Sequence, residues 1–449
     1  MQLFVRDKQF YNTVLRLAVP IVLQGMITIG VNLMDTLMLG SYGEIQLSAA
    51  SLANEFINIF HILCMGMGYG AAVLTAQYWG SQDIPALKKV VTIMLRICLA
   101  LASLFTLVTF FLPGGLMRIY TTDEAIIEKG ILYFRISAAA YLMMGLSLTL
   151  TAILRSVREV KVPLISSIVA FFVNIFFNWV FIFGNLGAPE MQIEGAALGT
   201  LIARFIEMLM IGGYFLFADK KIGYRVKDLF VPCRDYIPLY IQYSIPVLVS
   251  DALLAFGNNV VSMIMGRIGA SFVAANAIVA QVTRMSTVFT QGVSNSSSVI
   301  TGNTLGEGDW DKAYKQGITF LCLSVIIGLF AGGIILAICP LIIGGFNITA
   351  ETTAIAYQLM YAVAIMVVFQ SVQSVLTKGV LRGGGDTRFL MVADVLFLWL
   401  ASIPLGYLAG LVYRLPAFWI YVALKADWMI KSVWCAVRLV KGKWLKRVA

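Results

Sequence analysis

LRLAVPIVLQGMITIGVNLMDTLMLGSYG, residues 15–43, has a counterpart in IQYSIPVLVSDALLAFGNNVVSMIMGRIG, residues 241–269. The correspondence continues without a gap, so that 15–90 aligns on 241–316 at a constant offset of 226 positions, close to half of the 449 residues. Pro20 meets Pro246, Asn32 meets Asn258, Gly40 meets Gly266, Gly43 meets Gly269, Ala49 meets Ala275, Gly66 meets Gly292, Gly80 meets Gly306 and Asp83 meets Asp309. The shared residues are mostly Gly, Pro and Ala, which fix backbone shape. An internal duplication in an apolar chain points to a membrane transport architecture, with solute sites near the bilayer midplane between the repeats.

Composition agrees. Hydrophobic residues make up 60% of the chain and charged ones 12%, a balance that places it in lipid. A span needs about 20 apolar residues to cross about 30 Å of hydrocarbon. Twelve such stretches are predicted, near 14–39, 48–76, 90–112, 131–154, 163–184, 195–217, 240–265, 272–300, 317–343, 356–380, 389–411 and 416–439. The expected fold is all-α and integral to the membrane, with twelve helices in two six-helix repeats. The expected organisation is a lobe over 1–217, a cytoplasmic linker over 218–239 and a second lobe over 240–449 that ends in a basic tail.

Lys and Arg resist translocation, so loops rich in them stay cytoplasmic. Arg6 and Lys8, Lys88 and Lys89, Arg155, Arg158 and Lys161, the cluster Lys220 to Arg234, Lys312 and Lys315, Lys378, Arg382 and Arg388, and the tail after Arg438 all fall on one side. The opposite loops 40–47, 185–194 and 344–355 carry acids without bases; Arg118, Lys129, Arg267 and Arg414 are exceptions elsewhere. Both termini are therefore expected in the cytoplasm, and six spans per half make the two repeats parallel. Residues 1–13 are polar and the run after them is too long for a cleaved signal, so the first span is expected to remain. The net charge of +10 is accounted for by topology. Its dispersal over many loops argues against a nucleic-acid partner.

Catalytic and nucleotide motifs are missing. The sequence has no phosphate-loop, HExxH or paired-acid magnesium motif, and its six cysteines are spaced singly, with no disulfide or zinc pattern. No enzyme and no cofactor is expected. Gly383-Gly384-Gly385-Asp386 is read as a tight cytoplasmic turn, since the strand and helix that would flank a nucleotide loop are absent. His61, the single histidine, is read as a packed residue.

Acids within spans carry more information, because a charge at the helix centre costs about 2.5–3.5 kcal/mol on insertion scales. They are Asp35, Glu55, Glu207, Asp251, Asp394 and Asp427. Glu207 follows Arg204 by three residues and can pair with it on one helix face. Asp394 and Asp427 lie near Arg388 and near Lys425 or Lys431 respectively, and read as structural pairs. Glu55 shares its repeat position with Gln281, which suggests polar groups lining a shared cavity. Asp251 lies five residues after Pro246, with Arg284 as its expected counter-ion. Asp35 has no basic residue nearby in sequence, and its repeat mate Val261 is apolar, so a cation-coupling role suits it better than a scaffold role. Pro20 and Pro246 each remove a backbone hydrogen bond and are expected bending points.

The motifs MDTLMLGSYG (34–43), GAAVLTAQYWG (70–80), NIFFNWVFIFG (174–184), IEGAALGT (193–200) and LRGGGDT (381–387) make this chain resemble the multidrug and toxic compound extrusion (MATE) transporters over almost its whole length. The resemblance implies two six-helix lobes in a V around a central cavity, and export of amphipathic, often cationic compounds in exchange for Na⁺ or H⁺. It carries a cation site onto Asp35, Asn174, Asn178 and Thr200, and leaves the ion open, since some branches place a second acid where Asn178 stands. Asp251, Glu55, Gln281 and Arg284 are expected at the substrate cavity or a second coupling site; where one branch has its span 7 acid, this chain has Leu254. A monomer in the plasma membrane is expected, with small drugs as partners and no metal beyond Na⁺. A lipid-linked oligosaccharide flippase of the same superfamily is the alternative; its pyrophosphate would call for more deep cations than Arg204 and Arg284.

Overall fold

The computed structural model describes residues 4–344 and 348–446. Residues 345–347, and 447–449 at the end of the basic tail, lie outside the described residues. The twelve predicted spans become twelve helical elements: α1 (Lys8–Gly40), α2 (Glu44–Gly80), α3 (Ile84–Phe111), α4 (Glu124–Ser137 with Ala140–Ser156), α5 (Lys161–Phe183), α6 (Ile193–Ala218), α7 (Ile237–Ile268), α8 (Ala270–Gly306), α9 (Trp310–Gly344), α10 (Ala350–Gly383), α11 (Thr387–Val412) and α12 (Ala417–Leu424 with Ala426–Val440). Among the described residues, ten are continuous and apolar enough to cross a bilayer on their own, and α4 does so as a pair bent by 55°. α12 is broken near Lys425 into segments of 8 and 15 residues. A short helix, Pro113–Tyr120, joins α3 to α4.

The glycines and acids shared by the repeats mark equivalent structural needs. Gly43 and Gly269 stand just before α2 and α8 with φ of 152° and 153°, backbone that a side chain would strain. Asp83 and Asp309 cap α3 and α9: the Ala86 N–H donates to Asp83 Oδ1 at 3.0 Å and the Lys312 N–H to Asp309 Oδ1 at 2.9 Å, each satisfying a donor that the first helical turn leaves open. At the ends of α2 and α8 the contacts are reciprocal. A Cβ on Gly80 would sit 2.0 Å from the Asn303 carbonyl oxygen, and one on Gly306 would sit 2.0 Å from that of Gln77. Gln77 and Asn303 are themselves repeat mates.

Two compact units are formed. One holds the chain through Val22, Ala76–Gln82 and everything from Ile245 onward; the other holds Leu23–Thr75 and Asp83–Ser244. The chain changes unit at Val22, two residues after Pro20, and at Ser244, two residues before Pro246, yet α1 and α7 continue as helices through both prolines.

In the second unit, Ala49, Ala50, Ala53, Ala196 and Ala197 pack with Met117, Phe134 and Ile182, small residues that let helix backbones approach closely in lipid. The segment 222–231 after α6 is strapped to α3. Lys88 Nζ donates to the Gly223 carbonyl at 2.7 Å and pairs with Asp228 at 3.2 Å, while Arg96 donates to the carbonyls of Leu229 and Val231.

In the first unit, the Gly383–Gly385 run does form a turn, in which Gly385 has φ of 81°. A Cβ on Gly383 would meet the Ser298 carbonyl oxygen at 2.4 Å, and one on Gly384 would meet the Trp444 ring at 2.3 Å. Asp386 closes it, accepting from Arg438 Nε at 2.8 Å and Lys446 Nζ at 2.5 Å.

Candidate functional site

The site assembles in the second unit from α1, α5 and α6. Gly195 and Gly199, one turn apart on α6, allow it to lie directly on α5: a Cβ at Gly195 would be 2.6 Å from the Phe181 carbonyl, and one at Gly199 would be 2.2 Å from Asn178 Oδ1. This small-xxx-small spacing brings α5 side chains against α6. Asn174 and Asn178, four residues apart, share one face of α5 and are buried.

α1 then brings Asp35 onto that face. Asn178 Nδ2 donates to Asp35 Oδ1 at 2.6 Å and lies 3.4 Å from Asn174 Oδ1, and Asn174 Nδ2 donates to Thr200 Oγ1 at 3.3 Å. The four residues expected to form one site therefore do converge. No basic side chain lies within ion-pair distance of Asp35 among the described residues. Asn178 Oδ1 is buried and accepts no hydrogen bond among the described residues, and a buried oxygen left without a donor costs about 1–3 kcal/mol. One carboxylate, two amide oxygens and a hydroxyl make a hard-oxygen donor set of the type that suits a hard cation. The same groups can hold a proton on Asp35.

A polar chain lies beside this group. Arg204 Nη1 donates to Glu207 Oε2 at 2.8 Å, forming the pair expected on α6. Glu207 Oε1 accepts from Ser167 Oγ at 3.3 Å, Ser167 Oγ accepts from Gln24 Nε2 at 2.9 Å, and Gln24 Oε1 accepts from Arg155. Gln24 and Ser167 were not among the residues the sequence singled out, and Arg155 entered there only as a loop base; the one signal is the glutamine itself, next to the apolar run Leu17–Leu23 of α1. Tyr133 donates to Asn54 Oδ1 at 3.4 Å and lies within electrostatic reach of Asp35, another partnership with no local signature.

The remaining candidates are not joined to this group. Glu55 in α2 is exposed, as are Gln281 and Arg284 in α8, and their side chains make no hydrogen bond or ion pair among the described residues. Asp251 is paired, but not with Arg284 as expected from sequence. Arg382 Nη2, at the end of α10, stands 3.8 Å from Asp251 Oδ1, with only 6% of its side chain exposed. The sequence had placed Arg382 in a cytoplasmic loop; helical continuation of α10 through Gly383 carries it inward. Asp394 and Asp427 are also paired, both with Lys431, at 3.3 Å and 2.9 Å. Arg388 takes no part.

A family profile described as MatE matches residues 20–180 and 246–408, two segments that begin at the mates Pro20 and Pro246. The chain belongs to the MatE family. Among its relatives are the probable multidrug resistance protein NorM of Thermotoga maritima, 23% identical over 437 residues covering 96% of this chain and 93% of the relative, and the multidrug resistance protein MdtK of Yersinia enterocolitica, 22% identical over 442 residues covering 94% and 96%. Solved structures with the same fold include a crystal structure of MATE in the straight conformation, with a TM-score of 0.86 at 18% identity, and an outward-facing conformation of a multidrug resistance MATE family transporter, 0.86 at 17%, each covering 96% of both chains. This MATE protein is thus a multi-pass membrane transporter and not an enzyme.

Proposed function

We propose that this MATE protein exports amphipathic, often cationic compounds across the plasma membrane by cation antiport, with Asp35, Asn174, Asn178 and Thr200 as the coupling site and both termini in the cytoplasm. The observation that carries the reading is Asp35 itself: a carboxylate in a membrane helix that is bonded to an amide rather than to a base, beside the unpartnered Asn178 oxygen. Such a group has a use for an exchangeable Na⁺ or H⁺. The NorM and MdtK relatives, both described as multidrug resistance proteins, support drug export.

Exchange follows if cation and drug favour different conformations, since each shifts the equilibrium by its differential affinity for the two states. Occupation of the Asp35 site reorganises α1 against α5 and α6, which lowers drug affinity and favours the conformation that returns inward. Glu55, Gln281, Asp251 and Arg284 are proposed as contributors to the drug path, and the protein is proposed to act as a monomer. Arg204, one of two deep arginines that a pyrophosphate-carrying lipid would need, is held by Glu207, so nothing favours the flippase alternative.

The test is efflux of ethidium from proteoliposomes under an imposed Na⁺ gradient or an imposed pH gradient. Export driven by one gradient supports antiport and names the ion; export indifferent to both contradicts it.

A further inference from the structure

The acids of the membrane helices differ in what neutralises them. Glu207 has Arg204, Asp251 has Arg382, and Asp394 and Asp427 share Lys431. Asp35 and Glu55 have no basic side chain within ion-pair distance among the described residues, and of these two only Asp35 is held by buried amides. From Ile245 onward, the three in-span acids singled out from sequence, Asp251, Asp394 and Asp427, each already carry a cation belonging to the chain.

The Lys431 arrangement is the most complete. Its Nζ lies 3.3 Å from Asp394 Oδ1 on α11 and 2.9 Å from Asp427 Oδ2, one turn back on α12, and all three side chains are under 5% exposed. The other carboxylate oxygens are also satisfied: Ser250 Oγ on α7 donates to Asp394 Oδ2 at 2.8 Å, and Ser402 Oγ on α11 donates to Asp427 Oδ1 at 2.8 Å. Lys425, at the break in α12, lies with its ammonium over the Trp428 ring at 5.1 Å. Two carboxylates, each fixed through its other oxygen by a serine hydroxyl, flank one ammonium, an oxygen cage of the sort that would otherwise suit a free monovalent cation.

We propose that Lys431 is a resident cation: its ammonium fills the carboxylate cage formed by α7, α11 and α12, so this half binds no exchangeable ion and each transport cycle couples to one cation at Asp35. The stoichiometry rests on the coupling role proposed for Asp35; the occupancy of the cage does not. Asp251 is closed to a second ion in the same way, by Arg382.

The test measures ²²Na⁺ binding and Na⁺-dependent melting of the purified full-length protein, with choline chloride as the ionic-strength control. Asp35→Asn is expected to bind no Na⁺. The double variant Asp35→Asn with Lys431→Ala is expected to bind one, with a melting temperature that climbs with NaCl and not with choline chloride, and a further Asp427→Asn change is expected to remove that binding. A folded double variant indifferent to Na⁺ overturns the proposal. So does Na⁺ binding to Asp35→Asn that Asp394→Asn abolishes.

Should the Lys431 variant fail to fold in any salt, the reversal potential of ethidium transport by the wild-type protein decides: one cation per dye is expected, and two or more overturn the proposal. Gradient-driven export by Asp35→Asn would instead defeat the coupling role of Asp35, and leave the Lys431 cage to be judged by Na⁺ binding alone.

Discussion

Asn178 is uncharged, yet two contacts of the site depend on its position. Its Nδ2 donates to Asp35, and its Oδ1 sits where a side chain on residue 199 would have to go. Gly199→Ala is therefore expected to push Asn178 off Asp35, cost about 1–3 kcal/mol as an overpacked contact and abolish gradient-driven export; thermal melting beside an efflux assay checks both. Asn178→Ala removes a hydrogen bond to a charged group, worth about 1.5–3 kcal/mol, without overpacking. It should retain the fold and weaken coupling selectively. A variant that still exports under a gradient at the wild-type rate would show that Asn178 is only helix packing.

Asp35 was legible in the sequence as an in-span acid with no base nearby, and Asn174, Asn178 and Thr200 came with the resemblance to the MATE transporters, carried by the motifs they sit in. Gln24, Ser167 and Arg382 were not, because their partners lie 143, 40 and 131 positions away and only helix packing brings them together.

At the scale of the element, the prolines and the strap after α6 matter most. Pro20 and Pro246 lie inside continuous helices, next to the points where the chain changes compact unit. Each leaves one carbonyl without its intrahelical donor, a place where bending is cheap. Pro20→Ala should keep or raise the melting temperature while slowing ethidium efflux; unchanged efflux would remove α1 bending from the mechanism.

The strap predicts a pH dependence. Burial of Asp228 opposes its ionisation, but the Arg225 N–H and the Lys88 ammonium outweigh it and hold the carboxyl below the usual carboxylate range. With the folded value depressed, the anchoring is present above the ordinary carboxylate pKa of about 3.9 and is lost as pH falls through the lower folded value. Limited proteolysis of 222–231 should thus accelerate only on strong acidification, and Asp228→Asn should show the faster cleavage at neutral pH as well. Hydropathy located every span, but not the 55° bend in α4 or the break in α12 at Lys425. Those depend on local backbone choices to which mean hydropathy is blind.

Across the whole molecule, the 226-residue repeat has a physical counterpart in the crossing of α2 and α8, where Gly80 meets Asn303 and Gly306 meets Gln77 at equal distances. Asn303 Nδ2 donates to the Ala76 carbonyl at 2.9 Å, and Gln77 Nε2 donates to the Lys446 carbonyl at 3.1 Å. Gly80→Val and Gly306→Val should each be destabilising by similar amounts, and the double variant should fall short of their sum because both strain one contact; melting of the three proteins checks this. The duplication was legible from sequence because such contacts admit only Gly. The cations of Glu207 and Asp427 were legible too, as i,i+3 and i,i+4 pairs on one helix; those of Asp251 and Asp394 were not, since Arg382 and Lys431 reach them across helices.

The central claim is that a cation on Asp35 and a drug on the transporter oppose one another. Equilibrium binding of ethidium to the purified protein, titrated with the coupling ion named by the gradient assay, measures that opposition directly. The wild-type protein should release dye as the cation rises, and Asp35→Asn should bind dye yet be indifferent to the cation. Equal cation-driven release from both proteins would contradict the account.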